Sequence, residues 1–290
     1  MAAARDKEKE KFAWAPDYVF TPGLPKFKSN KEFYCALFSV SATVLGSESG
    51  SMDFDFLGAA QRLRDSISGS GKKSNFMYRQ LFQGDEFSLG KQSCIALWPP
   101  RYVDDKVFSS SVEKALWKFE EALNVDNTLR EIHNRITESK FVDRLLTRER
   151  SDADYPQGRY YADLVERWGE RKGQPLLPAV EEANRALRSV ANHLSLGFFT
   201  EGGLLFLGDI SEKALSAVVD KLVSLGEVNF KHLIAPHHGT YWDKSLLSLR
   251  ADTVIVSTGK RLAAKYNPNW GLVGNTVLSS YLNRDIQVVG

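Results

Sequence analysis

Between residues 204 and 239 the apolar pattern switches from strand to helix and back to strand, and this alternation constrains the fold more than any other feature of the chain. Residues 204–207 (LLFL) are a short continuous apolar run that stops at Gly208-Asp209. From 211 to 225, Ala214, Leu215, Val218, Val219 and Leu222 recur at helical spacing, and Gly226 follows as a stop. Residues 230–235 read as a second buried strand, ended by Pro236-His237-His238-Gly239. A strand-helix-strand crossover is right-handed and makes its strands parallel, so Asp209 and the two histidines meet at one edge of a sheet. Ahead of the unit, residues 193–199 alternate and Glu201-Gly202-Gly203 signals a tight turn, which predicts a hairpin into the first strand. Behind it, 244–249 is a short helical piece, 253–256 a β-branched strand, and Ser257-Thr258-Gly259 ends that strand at the same edge.

In open α/β sheets the carboxyl edge is where ligands bind, and a carboxylate facing imidazoles there is the beginning of a divalent-metal site. Asp209 admits a second reading, because with Glu212 three residues on it fits a helix capping box. His237 and His238 are sharper: adjacent imidazoles between Pro and Gly at a strand end are unusual in a core and suit a metal or catalytic role.

Several short motifs occur in a set order: Asn192-x-x-Ser195-Leu196, Leu207-Gly208-Asp209-Ile210, Ala235-Pro236-His237-His238-Gly239-Thr240, Ser257-x-Gly259 and Tyr266-Asn267-Pro268. Together they resemble the C-terminal half of metallo-β-lactamase-fold hydrolases, most of all the group that includes the hydrolase domain of the DNA-uptake protein ComEC. The resemblance implies that Asp209 bridges two zinc ions and that His238, with His237 beside it, is a terminal ligand. It also implies a weaker role for Asn192, which stands where other members of the superfamily have a metal-binding histidine. One part of the family pattern is missing. The His-x-His-x-Asp-His signature that supplies most ligands does not occur, since the histidines are His133, His193, His232, His237 and His238. A catalytic zinc needs about three protein ligands plus an open position, so this chain alone is expected to hold metal weakly.

Length and composition set the frame. The 290 residues, 43% of them hydrophobic, suffice for a substantial core in one large domain or two. A net charge of +2 leaves no electrostatic footprint, so nucleic acid is neither implied nor excluded. Cys35 and Cys94 are far apart and form no CxxC, which fits reduced thiols in a cytoplasmic protein. Residues 1–11 are a charged start without an apolar signal region and are expected to be a mobile tail. Residues 33–45, the most apolar early stretch, are too short to span a bilayer and read as a buried strand or helix, so no membrane association is expected.

The remaining chain falls into a partial metallo-β-lactamase-like segment, 12–108, a helical insertion, 109–190, and the recognised segment, 191–290. In the first, 46–52 and 66–74 are Gly/Ser-rich loops around a short helix at 56–67, and 83–98 is a strand pair turning at Gly90. The resemblance places that pair in the sheet beside residues 194–199. In the insertion, Val112, Ala115, Leu116, Phe119 and Leu123 form one stripe of a helix over 111–123, with a serine run as N-cap and Asn124 as stop. Leu129, Ile132, Ile136, Leu145 and Leu146 mark a second helical stretch, Tyr161, Leu164 and Trp168 a third, and 180–190 a fourth, with loops at 148–154 and 173–178. His133 is expected on a helix surface. An insertion of this size serves as a lid, a recognition piece or a partner surface.

The fold class expected is therefore α/β, a metallo-β-lactamase-like αββα sandwich interrupted by helices and lacking the N-terminal ligand half. The function expected is part of a metal-dependent hydrolase of phosphodiester or related bonds, completed by another segment or a partner polypeptide carrying His-x-His-x-Asp-His. The alternative is a catalytically degenerate interaction module in which Asp209 is only a helix cap. Lys260, Arg261 and Lys265, just past a strand end on the active edge, suit a substrate phosphate or a solvated basic face.

Overall fold

A computed structural model describes residues 18–45, 77–139, 141–147, 175–258, 265 and 267–280. The expected tail, the 46–74 loops with their helix, the 148–154 loop, the stretch around Tyr161 to Trp168, and Gly259, Lys260, Arg261 and Tyr266 lie outside these residues. The elements begin with β1 (Tyr18–Pro22), α1 (Asn30–Leu45), β2 (Met77–Leu81), β3 (Glu86–Leu89) and β4 (Gln92–Trp98). Four helices follow: α2 (Lys106–Val125), α3 (Asn127–Glu138), α4 (Phe141–Thr147) and α5 (Pro178–Asn192). The rest comprises β5 (Gly197–Thr200), β6 (Leu204–Phe206), α6 (Glu212–Leu225), β7 (Asn229–Ile234), β8 (Arg250–Val256) and β9 (Gly274–Ser279). The protein is mixed α/β, and it divides into two compact units.

The first unit draws on residues within 1–21, 26–80 and 103–190. The apolar stretch at 33–45 is helix α1, buried on nearly every side from Phe33 to Val44. It clusters with the helices of the expected insertion, so the 12–108 segment is shared between the two units. Helix α2 starts at Lys106, before the serines expected to cap it. Its N-cap is Asp105, whose carboxylate accepts from the Val107 and Phe108 amides at 2.6 and 3.0 Å. An ionised cap satisfies orphan amides and meets the positive helix end at once, an advantage a serine lacks. Its C-cap is Asp126, two residues past the expected stop, and the same side chain caps α3 through the Leu129 amide at 2.9 Å. His133 is not on a free surface: it is half-buried, edge-on to Phe119 at 5.0 Å, with Nδ1 3.2 Å from Ser39 Oγ.

The second unit draws on 22–25, 81–102 and 191–290 and holds a seven-stranded mixed sheet in the order β3-β4-β5-β6-β7-β8-β9. The first four strands are an antiparallel meander, and β6 through β9 are parallel. The expected pairing of the crossover strands is present, with Leu205 opposite Leu233 and Phe206 opposite Ile234. The strand pair at Gly90 also lies where expected, Ile95 of β4 facing Phe199 of β5. Strand β9 has no counterpart among the sequence expectations and extends the parallel set. Helix α6 supplies the stripe Ala214, Leu215, Val218, Val219 and Leu222 to one core cluster with Leu205, Leu233, Val254 and Trp270. A fully buried Leu or Val side chain contributes roughly 1.5–3 kcal/mol, so this face anchors the strand ends that α6 connects. Gly226 closes α6 in the left-handed conformation at φ 77°.

Among the described residues, no helix is long and apolar enough to cross a membrane. Cys35 and Cys94 are buried free thiols.

Candidate metal centre

Two turns at the carboxyl edge of the parallel strands carry the candidate residues. After β6 the chain turns at Gly208, φ 52°, and a Cβ there would lie 2.6 Å from the Leu196 carbonyl oxygen, so only glycine fits. Asp209 follows, half-buried. It is not the cap of α6. Ser211 is the N-cap and makes no side-chain capping bond, and Glu212 Oε1 accepts from the Trp242 amide at 3.4 Å, so the capping-box reading of Asp209 and Glu212 does not hold. The reason is one of position: α6 begins at Glu212, two residues too late for Asp209 to sit at the N-cap, which is Ser211.

After β7 the turn Pro236–Gly239 places two successive non-glycine residues at positive φ, His237 at 46° and His238 at 60°. Left-handed backbone costs an L-residue roughly 1–2 kcal/mol, and such strain persists where surrounding structure imposes it. Two hydrogen bonds and one close approach impose it here. The His237 amide donates to the Gly208 carbonyl at 2.9 Å, tying this turn to the one that carries Asp209. The buried Trp270 indole Nε1 donates to the Gly239 carbonyl at 2.9 Å. Gly239 itself, φ 78°, lies so close to β8 that a Cβ would fall 2.3 Å from Val256 Cγ1.

The two imidazoles are oriented by partners whose roles are unambiguous. His238 Nδ1 lies 2.8 Å from the Ser257 carbonyl oxygen. A carbonyl only accepts, so Nδ1 carries a proton, and in the neutral ring Nε2 bears a lone pair. Thr240 Oγ1 donates to the His237 carbonyl at 2.7 Å, leaving its oxygen to accept from His237 Nδ1 at 2.8 Å, and His237 Nε2 likewise bears a lone pair. The His237 ring stacks on Tyr241, centroids 3.9 Å apart and planes within 10°.

Charge around these groups is mixed. Burial pushes the His237 imidazolium down from its ordinary value, the Asp209 carboxylate opposes that, and His238 and Lys265 push the same way as burial. Tyr241 is held above its ordinary value by burial, then by the carboxylates of Glu212 and Asp209. Asp209, Glu212, His237, Tyr241 and Lys265 thus act on one another electrostatically.

Asn192 is the last residue of α5 rather than the start of a strand, because β5 begins only at Gly197. His193 follows it, its Nδ1 2.6 Å from Ser211 Oγ and its carbonyl accepting from Trp98 Nε1. Among the described residues, no three His, Cys, Asp or Glu side chains are grouped to hold a metal ion. The pair of imidazoles fits metal in its chemistry and falls short in number.

No protein-family model, curated protein or solved structure matches this chain. The residues therefore carry the reading by themselves. Sequence reasoning missed Tyr241, although an aromatic directly after His-His-Gly-Thr signals a stacking partner, and it missed Trp270, whose role depends on a contact 31 residues back in the chain.

Proposed function

We propose that Asp209, His237 and His238 are part of the metal centre of a metallo-β-lactamase-like hydrolase acting on phosphodiester or related bonds. Its remaining ligands come from another segment or a partner polypeptide bearing His-x-His-x-Asp-His. The observation that carries this reading is the state of the two imidazoles. Each donates Nδ1–H to a protein oxygen and keeps Nε2 as a lone-pair donor, the arrangement in which a histidine binds a metal while an outer partner fixes its ring. Loss of the capping role for Asp209 supports it, since a carboxylate at the sheet edge then has no structural duty as a helix cap. So does the backbone strain at both histidines, which is concentrated where function is concentrated.

Within such a centre His238 and His237 would hold metal through Nε2, and Asp209 would supply the carboxylate. Bound divalent metal would stabilise negative charge developing on a phosphoryl group. The chain's own contribution is orientation. Ser257, Thr240 and Tyr241 hold the imidazole planes, and the bond from His237 to Gly208 keeps the carboxylate turn in register with the histidine turn. Lys265, whose charge acts on His237, would add positive charge near the same edge.

A second reading, a catalytically degenerate module, is favoured by the shortage of clustered ligands among the described residues. Activity separates the two. The chain is assayed on a chromogenic phosphodiester with zinc or manganese, alone and co-expressed with any polypeptide encoded beside it that carries His-x-His-x-Asp-His. Hydrolysis that requires both chains and is lost in Asp209→Ala supports the hydrolase. A complex that loads metal through the partner alone and remains inactive supports the degenerate module.

A further inference from the structure

The helical unit contains a cleft of about 590 Å3 between α1, α2 and α3. That is within the roughly 300–1,000 Å3 typical of small-molecule sites. It stands apart from the reading of the metal centre and rests on different residues.

One wall is apolar, formed by Leu116, Phe119 and Leu123 of α2. The polar lining consists mainly of acceptors. Ser39 Oγ donates to the Cys35 carbonyl at 2.6 Å, so its oxygen receives the proton of His133 Nδ1, and His133 is left with Nε2 as an acceptor. Burial lowers the pKa of this imidazole, which keeps it uncharged near neutral pH. Thr137 Oγ1 spends its proton on the His133 carbonyl at 2.8 Å and is also hydrogen-bonded to the Cys35 thiol. Lys31, the cation in the lining, is held by both oxygens of Asp143 at 2.8 and 3.0 Å. Glu32 and Glu120 also line the cleft, and neither has an ion-pair partner among the described residues. Negative charge and acceptors therefore face an apolar wall that includes an aromatic ring.

We propose that this cleft binds a small organic cation, a primary ammonium or amidinium group on an aromatic or aliphatic body. The apolar body lies against Leu116, Phe119 and Leu123, and the cationic head donates to the carboxylates and to His133 Nε2. Among the described residues of the lining an anionic ligand finds no uncommitted cation, and a neutral hydrocarbon leaves the acceptors and carboxylates without partners.

The test is isothermal titration of the full chain with 2-phenylethylamine near neutral pH, beside its neutral isostere 2-phenylethanol and the anion phenylacetate. Saturable binding of the amine is expected, at least about tenfold tighter than the alcohol, a difference of about 1.4 kcal/mol, with no binding of phenylacetate. The double variant Glu32→Gln, Glu120→Gln changes two exposed side chains and leaves the melting temperature of the free protein in place. It is expected to erase the preference for amine over alcohol. Equal binding of amine and alcohol, amine binding that the double variant leaves unchanged, or no saturable amine binding at millimolar concentration each overturn the proposal.

Discussion

His238 Nδ1 donates to the Ser257 carbonyl oxygen at 2.8 Å, so the end of β8 sets the proton position on a ring that projects from the end of β7. Both histidines of the turn are therefore in the Nδ1–H form. Nitrogen-15 NMR of histidine-labelled protein reads this directly, through long-range couplings from ring protons. The expected spectrum at a pH above the imidazole range shows unprotonated Nε2 on His237 and His238. Protonated Nε2 on either ring contradicts the assignment of that ring as a metal ligand.

The glycines of the two turns are required for different reasons, and their substitution is expected to show it. Gly208→Ala drives a methyl against a backbone oxygen and adds an unfavourable φ, and Gly239→Ala drives one into Val256. Losses of about 2–4 kcal/mol are expected for each, since strain and overpacking combine. Gly84→Ala has a positive φ but open space, and is expected to lose only about 1 kcal/mol. Chemical denaturation orders the three. Equal losses would show that close approach is not what selects glycine at the edge.

Strain at the histidine turn separates stability from function. His238→Gly relieves a left-handed φ that His238→Ala retains, so the glycine variant is expected to be more stable than the alanine variant by about 1 kcal/mol, with metal affinity lost in both. If the two variants unfold at the same denaturant concentration, the turn is not held under strain.

Much of this edge was legible in the sequence because its signals are local. The 3.6-residue period of 211–225 and the continuous apolar runs on either side survive in the structure as β6, α6 and β7, and Gly226 stops the helix by adopting the conformation that glycine favours. Long-range determinants were not legible. Nothing near residue 239 announces that Trp270 will hold its carbonyl, and the positive φ of His237 and His238 is set by the Gly208 bond and the approach to Val256. The alternative reading of Asp209 as the cap of α6 fails although Asp209-x-x-Glu212 has capping-box spacing, because the actual start of the helix depends on how the preceding turn leaves the sheet. Strand β9 escaped because only one of its six residues, Ser279, is buried and the strand carries no clear alternation. His133 escaped because its partners, Ser39 and Phe119, lie on two other helices.

Burial of His133 has a pH consequence with a definite sign. Its folded pKa is below the ordinary value of about 6.5, so the unfolded chain binds more protons than the native one as pH falls through that range. The stability from keeping this ring neutral is complete above about 6.5 and is lost as pH falls through the folded value, with a slope of at most about 1.4 kcal/mol per pH unit. Unfolding free energies of the wild type and His133→Gln between neutral pH and mildly acidic pH are expected to diverge, the variant losing less. Parallel curves would show that the group does not titrate differently in the two states.

The central claim is that Asp209, His237 and His238 are ligands of an incomplete metal centre, and zinc titration of the purified chain tests it most directly. A carboxylate with two imidazoles is too sparse for tight binding, so the account predicts well under one zinc retained through purification. It also predicts weak, saturable binding on titration, monitored by shifts of the His237 and His238 Nε2 resonances and abolished by Asp209→Ala or His238→Ala, with each variant still folded. Stoichiometric, tightly held zinc would contradict the ligand count, and zinc binding that survives both substitutions would place the metal elsewhere in the chain.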